Sequence, residues 1–163
     1  MCTFSQKISA LPPEIFSLGD LHIRMIQNDD DLWYATVECQ LAPGQDEFVN
    51  PAGFSIGRAY LNPADNIPCI IWNGDTRIGY IVLRRWDGAA NSWSYYLDKD
   101  QQGKGYGKTA AQLAVQILKA TEPDMPIKLS TEAANEKAHR LYGSIGFRHL
   151  GEMDGDDLVF VYE

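Results

Sequence analysis

Cysteine is scarce in this chain: Cys2, Cys39 and Cys69 are odd in number, widely spaced and form no C-x-x-C. That excludes a disulfide framework and a zinc-ribbon ligand set, and a reducing cytoplasm is the expected setting. Histidine is equally sparse. His22, His139 and His149 have no ligand spacing with the cysteines, so no metal is expected. No apolar run is long enough for a membrane span, and there is no charged-then-apolar leader. Positive charge is short as well: 14 Lys and Arg stand against 22 Asp and Glu, a formal net charge of −8. Nucleic acid is therefore not an expected partner, because duplex binding needs a basic face. The negative field admits a cationic ligand, although it serves solubility equally. No repeat, low-complexity tract or interdomain linker interrupts the sequence. Its 163 residues suit one domain with a sizeable core. Residues 1–20, broken at Pro12-Pro13, read as an N-terminal extension, and residues 21–163 as a single domain.

What is present reads as alternating elements. Leu21 to Gln27 has strand periodicity, with Leu21, Ile23 and Met25 on one side. Asp29-Asp30-Asp31 supplies caps and first-turn carboxylates for a helix over about Leu32 to Leu41. Asn50-Pro51 opens a second helix to about Leu61, with Asn50 as cap and Pro51 at the first helical position. Strands follow at Ile67 to Trp72 and Arg77 to Trp86, joined by the turn Asn73-Gly74-Asp75. Another runs from Ser92 to Leu97. A helix to about Ala120 then carries Tyr106, Ala110, Leu113, Ala114, Ile117 and Leu118 on one face. The strand Ile127 to Thr131, a helix from about Asn135, and a hairpin of Arg148 to Met153 with Leu158 to Glu163 complete the chain.

Against the shortages stands one dense glycine cluster, Gln102-Gly103-Lys104-Gly105-Tyr106-Gly107-Lys108-Thr109, between a strand and a helix. Glycines let the backbone turn tightly and approach a ligand without Cβ interference. A helix start adds unpaired N–H groups and the positive end of a dipole, and Lys104 and Lys108 add charge. The physical reading is a pyrophosphate cradle. It is not a P-loop, because Gln102 occupies the required first glycine and the strand Pro126 to Thr131 ends without a magnesium-binding Asp. The dinucleotide pattern G-x-G-x-x-G fails at Lys108.

The pattern that fits is Q/R-x-x-G-x-G/A, met by Gln102, Gly105 and Gly107, and it resembles the acetyl-CoA signature of the GNAT N-acetyltransferase superfamily. Asn135-Glu136-Lys137-Ala138-His139-Arg140-Leu141-Tyr142, continuing to Gly146-Phe147, resembles a second motif of that superfamily in the correct order. The resemblance is specific over Ser92 to Phe147. It implies an α/β (α+β) fold: a mixed, mostly antiparallel sheet of six to seven strands flanked by about four helices, with a splayed strand pair that binds acetyl-CoA. The element order βααβββαβαββ agrees with it.

The implied reaction is acetyl transfer from the thioester of acetyl-CoA, the expected cosubstrate, to an amine. An alkyl ammonium has a pKa of about 10.4, so roughly one molecule in a thousand is nucleophilic near neutral pH. The resemblance puts the freed edge for pantetheine at Tyr95, Tyr96 and Leu97, with an N–H near Leu97 or Tyr96 polarising the thioester. It puts the pyrophosphate on the backbone from Gly103 to Lys108, with Gln102 and Tyr106 in the same signature. Tyr142 stands at the general-acid position, although a tyrosine on an apolar helix face is also a core residue. Asn135 either contacts CoA or caps its helix. No general base declares itself among Glu38, Asp46, Glu47 and Asp98.

Asn50 to Leu61, Tyr80-Ile81-Val82-Leu83 and the compact C-terminus are similar to spermine/spermidine acetyltransferases, which implies a polyamine acceptor. Glu38, Asp46 and Glu47 are the carboxylates that would hold its spare ammonium groups. Other small amines, an aminoglycoside, a protein N-terminus, and a GNAT module that binds acyl-CoA without catalysis are the alternatives. Homodimerisation is left open.

Overall fold

A computed structural model describes all residues, 1–163. The chain builds one eight-stranded sheet in the order β1-β2-β3-β4-β5-β6-β8-β7. The strands are β1 (Ser17–Leu18), β2 (Leu21–Met25), β3 (Asn66–Asn73), β4 (Thr76–Trp86), β5 (Ala90–Leu97), β6 (Ile127–Thr131), β7 (Arg148–Asp154) and β8 (Asp157–Tyr162). All neighbours are antiparallel except β5 and β6. Five α-helices accompany them: α1 (Phe4–Ser9), α2 (Asp29–Trp33), α3 (Ala52–Leu61), α4 (Tyr106–Thr121) and α5 (Glu136–Ser144). The short β1 and α1, both in residues 1–20, account for the excess over the expected count.

Those first residues are tied down. Thr3 closes a capping box with Gln6, and α1 buries Phe4 and Ile8 in the main core. Lys7 pairs with Glu122 at 2.7 Å, and Gln116 Nε2 donates to the carbonyls of Ile15 and Ser17. Pro12-Pro13 hid this from the sequence, because it interrupts the periodicity on either side.

The central strands are buried on both faces, and alternate residues contribute to two cores on opposite sides of the sheet. Ile81, Leu83, Trp93 and Leu97 share a core with α1, α4 and α5. Ile70, Tyr80 and Val82 face the opposite way and pack with Tyr34, Ala35 and Ala52 of the α2 and α3 region. The sheet therefore has an α4/α5 side and an α2/α3 side.

Local chemistry corrects three boundaries. Asn28, not the aspartate run, caps α2, accepting from Asp31 N at 2.9 Å. Asp31 is instead buried, and takes Arg77 Nε at 3.0 Å. After Trp33 the helix widens into a π-turn, Tyr34–Glu38, and stops at Cys39 rather than reaching Leu41. At α3, Pro51 rather than Asn50 takes the cap position, with no side-chain cap bond.

Candidate functional site

β5 and β6 are the only parallel neighbours, and they meet at a single register pair, Asn91 with Ile127. Asn91 N donates to Pro126 O at 2.9 Å, after which the two strands diverge. Strand geometry then fixes which groups the divergence leaves free. Successive residues of a strand direct their N–H and C=O to alternate sides. Since Asn91 faces β6, so do Trp93, Tyr95 and Leu97, while Tyr96 turns its amide to β4, where it sits opposite Tyr80. Of the two expected amides, Leu97 thus opens onto the gap and Tyr96 does not.

The gap is not filled. A cavity of about 920 Å³ runs through it and reaches both sides of the sheet. On the α4/α5 side it is lined by Trp93, Tyr95, Leu97, Leu129, Thr131 and Tyr142, and on the α2/α3 side by Tyr80, Val82, Arg84, Ser94 and Tyr96. Trp93 forms an edge-to-face cluster with Tyr142 and Phe147, with centroids 6.2 and 5.6 Å away. These rings fix one wall of the slot. Trp93 Nε1 and Thr131 Oγ1 are buried at that wall without a hydrogen-bond partner.

At the wide end of the slot the glycine cluster starts α4. Gly103 and Gly105 hold φ of 75° and 84°, a left-handed backbone that favours glycine. Gly105 caps α4 with no side-chain bond, and none of the N–H groups from Gln102 to Lys108 donates to an acceptor in the protein. No atom lies within 4 Å of a Cβ built on Gly103 or Gly105. Several unpaired donors at a helix start, beside open space and Lys108, form a seat for an anion of phosphate size.

The side chains of the signature divide. Gln102, Gly103, Gly105, Gly107 and Lys108 line the cavity. Lys104 and Tyr106 do not: Lys104 Nζ donates to Gln101 at 3.4 Å, and the Tyr106 hydroxyl accepts from Asn73 at 3.0 Å. Tyr106 thus pins the first turn of α4 to the β3–β4 hairpin. The side chain of Gln102 is already engaged, donating to Leu97 O at 3.0 Å and exchanging amide bonds of 2.7 and 2.8 Å with Gln45. This pair clamps the loop before α3 to the cradle. Gln45 escaped the sequence reading because nothing local marks a partner 57 positions away.

Tyr95 and Tyr142 both line the cavity on the α4/α5 side, each edge-on to Trp93. The Tyr95 hydroxyl donates to Gly107 O at 3.0 Å, which ties the strand to the first turn of α4. Burial raises the pKa of both phenols far above the ordinary tyrosine range. Tyr142 is only 9% exposed. Its hydroxyl has no protein partner, so it remains protonated and free to donate into the cavity. Asn135 also lines the cavity, but its Oδ1 accepts from Ala138 N at 3.3 Å, as a helix cap does.

Beyond the slot, the α2/α3 side forms a chamber between the sheet and α3. Tyr80 and Ser55 share a short hydroxyl–hydroxyl contact there. The neighbouring Tyr96 phenol is pushed up to about 12 by burial. Asp46 and Glu47 line the rim and are exposed, whereas Glu38 lies on the π-turn outside the cavity. Asp98 is also outside, with its oxygens accepting from Gln40 N and Asp100 N at 3.0 Å. The unanticipated lining residues include Arg58 of α3, Arg84 of β4 and Asp157 of β8, which only the tertiary fold brings together.

Residues 30–147, more than half of the chain, match the acetyltransferase (GNAT) family, and the chain belongs to that family. Solved structures agree on the fold. An acetyltransferase from Agrobacterium tumefaciens superposes with a TM-score of 0.67 at 18% identity, covering 90% of this chain and 92% of that one. A spermidine N-acetyltransferase from Vibrio cholerae, in complex with CoA and spermine, gives 0.61 at 16% identity over 88% and 94%. The aminoglycoside acetyltransferase AAC(6')-Ib, bound to paromomycin and acetyl-CoA, gives 0.67 at 19% over 87% and 92%. No curated protein is significantly similar in sequence. No helix is long and apolar enough to cross a membrane.

Proposed function

We propose that this chain is an acetyl-CoA-dependent N-acetyltransferase that acts on a small primary amine. The observation that carries the reading is the continuous cavity through the β5/β6 divergence, with a donor-rich helix start at one end and a polar chamber at the other. A phosphate-bearing, elongated thioester fits the residues present: unpaired N–H groups from Gly103 to Lys108 for the pyrophosphate, and the free strand edge at Trp93, Tyr95 and Leu97 for the amide-containing arm. Acetyl-CoA would supply an acyl group on sulfur, so that a new N–C bond forms as C–S breaks, the sulfur taking up one proton and the nitrogen giving one up.

The chain's own groups then have definite tasks. Tyr142, held protonated by burial and unpaired, donates toward the sulfur position. An amide on the free edge of β5, nearest Leu97, donates to the carbonyl oxygen as charge develops there. Tyr95 and Asn135 act through position, Tyr95 by its bond to Gly107 O and Asn135 as cap of the helix that carries Tyr142. Gln102 holds the cradle against Leu97 O and the Gln45 loop rather than reaching the ligand with a free amide.

A polyamine acceptor draws support from Asp46 and Glu47 at the rim and from the shared fold with a spermidine N-acetyltransferase. Glu38 does not contribute to the chamber, and Arg58 and Arg84 oppose a polycation in the same space. A small amine of lower positive charge therefore suits the chamber better. Thiol release from acetyl-CoA over a panel of monoamines, spermidine, spermine, an aminoglycoside and a short peptide tests the reading. Turnover with at least one amine is expected. Binding of acetyl-CoA without turnover on any of them would leave an acyl-CoA-binding module.

A further inference from the structure

Arg84 has no task in acetyl transfer as described so far, yet it occupies the chamber wall. It lies on β4 between Asn66 of β3 and Ser92 of β5, on the α2/α3 side. Its side chain is half-buried, forms none of the ion pairs of this protein and makes no hydrogen bond to it. Its guanidinium lies 5.4 Å from the centroid of the Trp86 ring. The adjacent Arg58, stacked on Phe54 at 4.9 Å, is likewise unpaired. Burial, and then repulsion from Arg58, lowers the pKa of Arg84, with Asp154 and Asp87 acting in the opposite sense from beyond ion-pair distance.

The other shielded arginines differ. Arg77 is paired with Asp31 at 3.0 Å, and Arg85, the next residue on the other side of the sheet, grips Glu122 at 2.5 Å. A half-buried guanidinium facing a cavity, with no counterion of its own, is costly to the free protein and is relieved by an anion from outside. A carboxylate matches the guanidinium fork with two parallel bonds.

We propose that the acceptor is an amine that carries its own carboxylate, and that Arg84, assisted by Arg58, receives that carboxylate. This rests on the acetyl-transfer reading and names the substrate class of the same site. The amine end then extends toward the β5/β6 opening. Asp157 of β8, across the β5/β6 opening in the same sheet, and Asp46 with Glu47 at the rim favour the ammonium over the carboxylate there. One negative charge on the ligand offsets the repulsion between the two guanidinium groups, whereas each extra ammonium adds to it. The expected order of preference is amino carboxylate, then monoamine, then polyamine.

The test measures binding separately from turnover. β-Alanine, 4-aminobutyrate, 6-aminohexanoate and lysine are titrated by calorimetry into CoA-saturated protein and followed by thermal shift in free protein. Each is set against the amine of matching length that lacks the carboxylate, cadaverine in the case of lysine. At least one carboxylate-bearing member binds about tenfold or more tightly than its partner, and Arg84→Gln removes that advantage while the carboxylate-free amine binds no more weakly than to wild type. Arg84→Lys, which keeps charge and stem but not the fork, reduces the advantage severalfold and serves if the glutamine variant does not fold. Equal affinities within every pair, or an advantage that survives in both folded variants, overturns the proposal. Thiol release on the same panel separates the two ideas. Turnover without carboxylate preference rejects the Arg84 site and keeps the enzyme, whereas carboxylate binding without turnover keeps the site and rejects the enzyme.

Discussion

Replacing Gly79 with alanine attacks the free strand edge from behind. A Cβ built on Gly79 would sit 2.6 Å from Tyr96 O, 2.9 Å from Leu97 Cδ2 and 3.2 Å from Leu97 Cα. The leucine methyl can rotate away, but the carbonyl and the Cα belong to the backbone of β5. An ordinary carbon–oxygen contact needs about 3.3 Å, so β5 must recede by roughly 0.7 Å at the residues that lead to the cradle. Overpacking of this kind costs about 1–3 kcal/mol of stability. Displacing the amide of Leu97 by that distance should lower kcat/KM about 10- to 100-fold, because positioning errors near 1 Å have effects of that order. Gly57→Ala is the control: it lies within α3 with no atom within 4 Å of the new Cβ. It should gain about 0.5–1 kcal/mol from the loss of glycine flexibility and leave turnover alone. Urea denaturation reads the stabilities, and steady-state thiol release reads the activities. A folded Gly79→Ala protein with unchanged kcat/KM would refute the reasoning that the β5 edge positions the reaction.

Two further outcomes follow from the same geometry. Tyr142→Phe keeps the ring contacts with Trp93 and Phe147 and removes only the hydroxyl, so kcat should fall about 10- to 1000-fold with little change in acetyl-CoA affinity. A fully active phenylalanine variant, measured by the same assay, would reduce Tyr142 to packing. Glu122 ties three elements together, accepting from Lys7 at 2.7 Å, from Arg85 at 2.5 and 2.6 Å and from Asn91 at 3.0 Å. Burial alone would raise its pKa, but these donors outweigh burial and hold it below the unfolded value of 4.5. A depressed carboxyl pKa stabilises above the unfolded value and loses that contribution as pH falls through the folded one. Wild-type stability should therefore drop below about pH 4.5, and Glu122→Gln should cost about 3 kcal/mol at pH 7 while flattening that acid limb. Denaturation midpoints from pH 3 to 7 check both, and an unchanged acid limb in the variant would contradict the assignment.

Local signals and long-range ones were not equally legible in the sequence. The strand Ile127 to Thr131, the hairpin at Gly74-Asp75 and the start of α5 after Asn135 follow from periodicity and turn chemistry, which act over a few residues. The glycine-rich start of α4 was legible for the same reason, since three glycines around a helix start are a local pattern. What stayed hidden depends on sheet order. Arg84, Ser94 and Asp157 come from three strands and share a wall only because β6 is inserted between β5 and β8. Arg84 and Arg85 are adjacent and equally basic, yet pleat alternation gives one an unpaired place in the chamber and the other an ion pair with Glu122. Lys104 and Tyr106 sit inside the signature but outside the cavity, because a tight turn projects neighbouring side chains in different directions.

The central claim is that the donor-rich start of α4 and the β5/β6 slot form the acetyl-CoA site. Isothermal titration of acetyl-CoA into the wild-type protein and into Gly105→Asp tests it most directly. Aspartate tolerates the left-handed backbone at this position better than most residues, and it puts bulk and negative charge where the phosphates are expected. One acetyl-CoA per chain is predicted for wild type, with affinity at least tenfold weaker in the folded variant. Absence of binding to wild type, or equal affinity in the two proteins, would contradict the account.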